Sequence, residues 1–131
     1  MSPKSDVLAA AAALVSAFGN HDREAYFASF EPRATFLFHS ADALLGSRAA
    51  YEGEWDGWVR DGFHILGCVS ADQRADLLGE DVAVFTHRVR THLRDADGEH
   101  RLAERETIVL RRQDDGRWLG VHEHLSVDPR G

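Results

Sequence analysis

A single cysteine, Cys68, has no partner within the chain, so no disulfide framework can hold this fold, and with no Lys, Arg or His beside it nothing marks it as an activated nucleophile. No apolar run approaches the roughly 20 residues that cross a bilayer, because charges, Gly or His break every stretch. The first residues lack the basic, apolar and cleavage-site succession of a secretory leader. Together with the lone cysteine this points to the cytoplasm. Basic residues are outnumbered, 15 Lys and Arg against 22 Asp and Glu, and the formal charge of −7 repels phosphate backbones and anionic bilayers alike. Neither nucleic acid nor membrane is expected as a partner. There is also no Gly-rich phosphate loop, nucleophile elbow or zinc-helix motif, so no cofactor is expected.

What is present is enough for one domain spanning residues 1–131. Hydrophobic residues make up 44% and charged residues 28% of the chain, which can therefore bury a core. Val7, Leu8, Ala11, Leu14, Val15 and Phe18 share one face of a 3.6-residue period, between Ser5 as N-cap and Gly19 as stop. Asp22 caps a second, shorter helix that turns Tyr26, Phe27 and Phe30 inward and ends at Glu31-Pro32. Ala34 to Ser40 reads as a strand. Ser47 caps a third helix carrying Tyr51, Trp55 and Trp58, weakened by Gly53 and Gly57. From Phe63 the period becomes two, with strands near 63–70, 73–78, 82–93, 100–112 and 117–127 separated by Gly- and Asp-rich turns. Helices first and strands afterwards give an α+β fold, a curved antiparallel sheet covered on one face by N-terminal helices.

The turns of the two long hairpins fix which side chains meet. A loop at Asp95–Gly98 sets Ala83, Phe85, His87 and Val89 opposite Leu110, Ile108, Glu106 and Glu104. A loop at Gln113–Gly116 sets Leu110, Ile108, Glu106 and Glu104 opposite Leu119, Val121, Glu123 and Leu125. Both registers put apolar residues on one face, and a one-residue slip would turn every side chain over, although a β-bulge at either turn would break the pattern. His87, Glu106 and Glu123 then form a row inside that apolar face. Two carboxyls so placed cannot both ionise cheaply, so one should bind its proton unusually tightly unless His87 is charged. Such a row can serve as general acid or base, or it can be a hydrogen-bonded network that closes the core.

The opposite face carries Thr86, Arg88, Arg90, Ala103, Arg105, Thr107, His122, His124 and Ser126. His122 and His124 would share one side of a strand, as some metal sites require, but Arg88 and Arg105 repel a cation and no third ligand joins them. No metal is expected. His39 and His64 could each line a cavity or be capped structurally.

The order of elements, and above all Glu104-Arg105-Glu106-Thr107-Ile108-Val109-Leu110 followed by Asp115-Gly116-Arg117-Trp118-Leu119-Gly120-Val121-His122-Glu123-His124-Leu125-Ser126, resembles the nuclear transport factor 2-like superfamily. This cone-shaped fold is shared by ketosteroid isomerases, SnoaL-like polyketide cyclases and the calcium/calmodulin-dependent kinase association domain. The resemblance implies a helix-covered cavity at the wide end of the cone and a dimer through the outer sheet face. It does not transfer a known site: the isomerase's aspartate and tyrosine positions hold Phe38 and Leu14, and the association domain's arginine positions hold Val89, Ile108 and Leu125. The expectation is a SnoaL-like homodimer that binds a small, largely apolar organic molecule and transfers a proton on it, as an isomerase, cyclase or lyase would. Glu123 would be the base, Glu106 and His87 would set its pKa, and Phe38, Trp55, Trp58 and Phe85 would wall the ligand in. The alternative is a non-catalytic oligomerisation or ligand-carrier domain in which the row is structural.

Overall fold

A computed structural model describes residues 2–131. The chain runs α1 (Pro3–Gly19), α2 (Arg23–Ala28), β1 (Phe30–Phe38), α3 (Arg48–Arg60), β2 (His64–Leu78), β3 (Val82–Asp95), β4 (Gly98–Arg112) and β5 (Trp118–Val127). The strands form one curved, unclosed sheet in the order β1-β5-β4-β3-β2. From β2 to β5 it is an antiparallel meander, while the edge strand β1 lies parallel to β5. The helices and β1 bury Val7, Leu14, Phe27, Phe30, Phe36 and Trp55 against Ile65, Phe85, Ile108 and Leu110 of the sheet. No described helix is long and apolar enough to cross a membrane.

Local chemistry moves several boundaries from where the sequence places them. The first helix starts before Ser5: Ser2 is the N-cap, its Oγ accepting from the Ser5 N–H at 3.1 Å, and Pro3 takes the first helical position, where a missing N–H costs nothing. Asp22 does cap α2, accepting from the Ala25 N–H at 3.2 Å, but the helix stops at Ala28 and Glu31-Pro32 lie in β1. An edge strand tolerates a proline because its outer N–H groups have no partner to lose. The two short strands expected at 63–70 and 73–78 are one strand with a bulge between Ala71 and Arg74. Asp72 takes a positive φ of 54° there, a conformation that Asp adopts more readily than most residues.

The two hairpins differ. Between β3 and β4 the pairs Ala83–Leu110, Phe85–Ile108, His87–Glu106 and Val89–Glu104 all form. Between β4 and β5 the expected pairs do not form, because two irregularities intervene. The turn is one residue longer, pairing Arg112 with Trp118, and a bulge lies where Leu110 pairs with Gly120 but Val109 with His122. Two one-residue offsets restore the face but not the position, so Glu123 points inward opposite Ile108, and Leu125 is the residue opposite Glu106. Leu119 and Val121 leave the inner face, and Trp118, which an inward Leu119 would have turned outward, is 7% exposed in the core. Gly120 explains the bulge. A Cβ there would sit 2.6 Å from the Phe30 ring, while the Gly120 N–H turns out of the ladder to donate to the Ser29 carbonyl at 2.8 Å.

Candidate functional site

Strand alternation aims Glu104, Glu106 and Glu123 into a cavity of about 110 Å³ between α1, α3 and the inner face of the sheet. Its walls are largely apolar: Leu14, Phe18, Phe38, Trp58, Val89 and Leu125. Glu104, Glu106 and Glu123 supply acid, and Tyr26, Tyr51 and Thr91 supply hydroxyls. Ser40 and Leu102 belong to the lining yet are exposed, and so mark its mouth.

At the floor, Tyr26 and Tyr51 reach across from the helices to the sheet. The Tyr26 hydroxyl donates to Glu123 Oε1 at 2.8 Å, which leaves Tyr51 as the donor in the 3.0 Å contact between the two phenols. Burial, followed by the charge of Glu123, holds both phenols well above the ordinary tyrosine range, so both keep their protons. Glu123 is 2% exposed and shares a hydrogen bond with Glu106. Burial pushes the Glu106 carboxyl up to about 7, with the charge of Glu104 adding to the rise and the hydrogen bond from Glu123 opposing it. Glu123 is driven well above the carboxylate range by burial first and the Glu106 charge second. Both carboxyls of the pair are therefore held above the ordinary carboxylate range, and the pair keeps a proton toward neutrality.

His87 stands behind Glu106 rather than on the cavity wall. Its Nε2 lies 2.6 Å from Glu106 Oε1 and its Nδ1 lies 2.6 Å from Ser70 Oγ, which in turn accepts from the Gln73 amide at 2.9 Å. Burial lowers its pKa to about 4, against the pull of Glu123, so the ring is neutral at pH 7. At the mouth, His39 Nε2 bonds Glu104 Oε2 at 2.5 Å.

Of the wall residues expected from sequence, Phe38 and Trp58 line the cavity. Trp55 and Phe85 do not. Trp55 is 1% exposed beneath Phe18, Tyr26, Phe27 and Phe63, its indole N–H without a hydrogen-bond partner among the described residues. Phe85 packs on the His87 ring, centroids 4.8 Å apart. His64 stacks on His21 at 4.1 Å, away from the site. Cys68 does line the cavity, but burial pushes its thiol up to about 11 and it is no nucleophile at neutral pH. Sequence reasoning missed the roles of Tyr26, Tyr51 and Ser70. The inward phase of Tyr26 and Tyr51 on their helices was a signal for the first two. Ser70 carried none, because no turn signal fixes the register of β2 against β3, which pairs Ser70 with Val89 and so sets it diagonal to His87.

A helix-covered cavity on a curved sheet, with two buried carboxyls at its floor, defines a class of small α+β pocket proteins. The chain belongs to the SnoaL-like domain family, whose model matches residues 7–129. Among solved structures it is similar to a ketosteroid isomerase-like protein from Erwinia carotovora atroseptica SCRI1043, with a TM-score of 0.80 and 17% identity over 95% of both chains. It is similar to an NTF2-like protein from Cytophaga hutchinsonii ATCC 33406, with a TM-score of 0.81 and 14% identity over 98% of this chain and 100% of that one. It is also similar to the association domain of C. elegans CaMKII, with a TM-score of 0.73 and 23% identity over 95% of both chains. At these identities the likeness is one of fold. No curated protein matches the chain.

Proposed function

We propose that this SnoaL-like domain binds a small, neutral, largely apolar organic molecule in its cavity and transfers a proton on it, with Glu106 as the base and Glu123 as the protonated partner. The observation that supports this most is the pair itself: two buried carboxyls on the cavity wall, one ionising at about 7. A base is most useful when its pKa sits near the working pH, because it is then both deprotonated and still basic. This reverses the roles expected from sequence, in which Glu123 was the base. The cause is geometric, since Glu123 is the deeper group and lies between the Glu106 carboxyl and the tyrosines.

Size and charge narrow the ligand. A cavity of about 110 Å³ is of the order of the roughly 150 Å³ site that takes one benzene, so a single ring or a short branched chain fits and a four-ring steroid does not. Anions are disfavoured by the three glutamates. A carbonyl compound with an acidic C–H fits the chemistry: Glu106 takes the proton from carbon, and the electron pair left behind moves into the carbonyl. Return of the proton to another carbon is isomerisation, loss of a leaving group is elimination, and attack on a second carbonyl is cyclisation.

The test is a ligand-observed NMR screen of small neutral ketones and aldehydes, with hits then incubated in D₂O. The wild type should place deuterium on the carbon next to the carbonyl, and Glu106→Gln should bind the same hits without exchanging them. Equal exchange by Glu106→Gln, or no hit for the wild type, would contradict the reading. The dimer through the outer sheet face belongs to the same proposal. Arg105 and His124 stand exposed there beside a groove also lined by Thr86, Thr107 and Ser126, on a face that no helix covers. Light scattering at micromolar concentration should give twice the chain mass of 14.6 kDa; a monomer would remove the dimer and leave the cavity reading intact.

A further inference from the structure

The carboxyl pair is reached from two directions. One is the cavity mouth at Ser40 and Leu102. The other runs through the sheet: Gln73, exposed at the β2 bulge, bonds Ser70, Ser70 bonds His87, and His87 bonds Glu106. We propose that Ser70 and His87 form a proton path between solvent at the β2 bulge and Glu106, separate from the mouth through which a ligand enters.

Three features of the geometry support it. Both contacts of the imidazole are 2.6 Å, one on each ring nitrogen, so the ring bridges two partners rather than capping one. The Gln73 amide can only donate to Ser70 Oγ, which leaves the hydroxyl proton free to point at His87 Nδ1 and puts the ring proton on Nε2, facing Glu106. The bulge supplies the third. Two residues, Asp72 and Gln73, stand opposite His87 where a regular strand has one, and the Gln73 amide reaches Ser70 Oγ at 2.9 Å.

The transfer balances without a charged intermediate. As the Nε2 proton passes to a Glu106 carboxylate, Nδ1 takes the Ser70 hydroxyl proton, and water at the bulge replaces that proton on Ser70. One proton enters, and His87 is left neutral with its proton on Nδ1. The reverse sequence discharges Glu106 and restores the first tautomer. From the Nε2–H tautomer the path thus loads an ionised Glu106 from solvent while a molecule still fills the cavity, and a Glu106 loaded by substrate empties through it only when the ring proton sits on Nδ1. Ser70 and His87 are positioning and relay residues here; neither touches the ligand site. This gives the carboxyl pair its purpose only if Glu106 is the base proposed above, but the path itself can be tested with no ligand present.

The experiment measures exchange of the His87 ring N–H with solvent by ¹⁵N-edited NMR on the ligand-free protein. Ser70→Thr and Ser70→Val have almost the same shape and differ by the hydroxyl, and both suit a strand. The expected result is wild-type exchange in Ser70→Thr and a slowing of about tenfold or more in Ser70→Val, the scale on which a positioned proton donor acts. Leu102→Trp, which narrows the mouth, should leave the rate unchanged. Equal rates in Thr and Val variants, or slowing by Leu102→Trp alone, would overturn the path. If Ser70→Val fails to fold, Ser70→Ala replaces it with the same expectation. Failure of this test with deuterium transfer to carbon intact would leave the base reading standing, and the converse result would separate them equally well.

Discussion

The inner and outer faces of the same strands treat identical side chains in opposite ways. Outside, Arg111 clamps Glu31 with two nitrogens at 2.5 and 2.9 Å, and Arg88 holds Asp128 at 2.5 Å. The arginines keep both carboxylates below their usual range. Inside, Glu106 and Glu123 meet no cation, only each other, a neutral imidazole and a phenol, and both rise. Glu31 and Asp128, only 14% and 9% exposed, stay ionised because a guanidinium stands beside each. A buried carboxyl without one keeps its proton and becomes useful as an acid or base. The comparison locates function on the face where the fold withholds counter-charges.

The largest effect should come from cutting the inner row. Glu106→Ala removes the partner of His87 and of Glu123 and leaves a void, and should cost about 2–4 kcal/mol in denaturant melts. Glu123→Gln is the sharper case, because the amide can still accept from Tyr26 and donate to Glu106. A carboxyl whose folded pKa is raised adds stability at low pH and loses it as pH climbs from the unfolded value through the folded one. For Glu106 that window runs from 4.5 to about 7. His87, depressed from 6.5 to about 4, acts in the other sense and withdraws stability as pH falls through that interval. Between pH 6.5 and about 8, above the His87 interval and below the ranges of Cys68 and the phenols, the slope comes from the carboxyls. Wild-type stability should therefore fall with rising pH there, and Glu123→Gln should gain on it by up to about 1.4 kcal/mol per pH unit. Tyr26→Phe should cost about 1–2 kcal/mol, one buried hydrogen bond to a carboxyl and one to a phenol. At the exposed end of β4, Arg112→Ala breaks an ion pair with Asp81 whose partners are 46% and 62% exposed, and should leave the melting temperature within error. A large loss there would break the contrast.

Much of this contrast was legible before any coordinates. Turn residues at Asp95–Gly98 fix the β3–β4 register, and alternation then places His87 and Glu106 inward opposite each other. The β4–β5 register was not legible, since the extra turn residue and the bulge at Gly120 answer to the Phe30 ring, a contact 90 residues away in sequence. Glu123 was still placed on the correct face because the two offsets cancel in parity. Trp118 was not, because it lies between them. Trp55 and Phe85 were expected to wall the ligand from their apolar, inward phase. Phase says that a side chain is buried, not whether it meets a cavity or other side chains. The proposal that Glu123 holds the proton rests on depth and partners, which periodicity does not contain.

The central claim is that the folded protein holds a proton on Glu123 beside a Glu106 that ionises near neutrality. It is most directly tested by following the side-chain carboxyl carbons of ¹³C-labelled glutamate by NMR across pH in the wild type, Glu106→Gln and Glu123→Gln. The account expects one carboxyl with a midpoint near 7, missing from Glu106→Gln, and another still protonated above that pH, missing from Glu123→Gln. If every glutamate carboxyl in the wild type titrates in the ordinary range, no proton is held at the floor of the cavity, and the assignment of Glu106 and Glu123 fails.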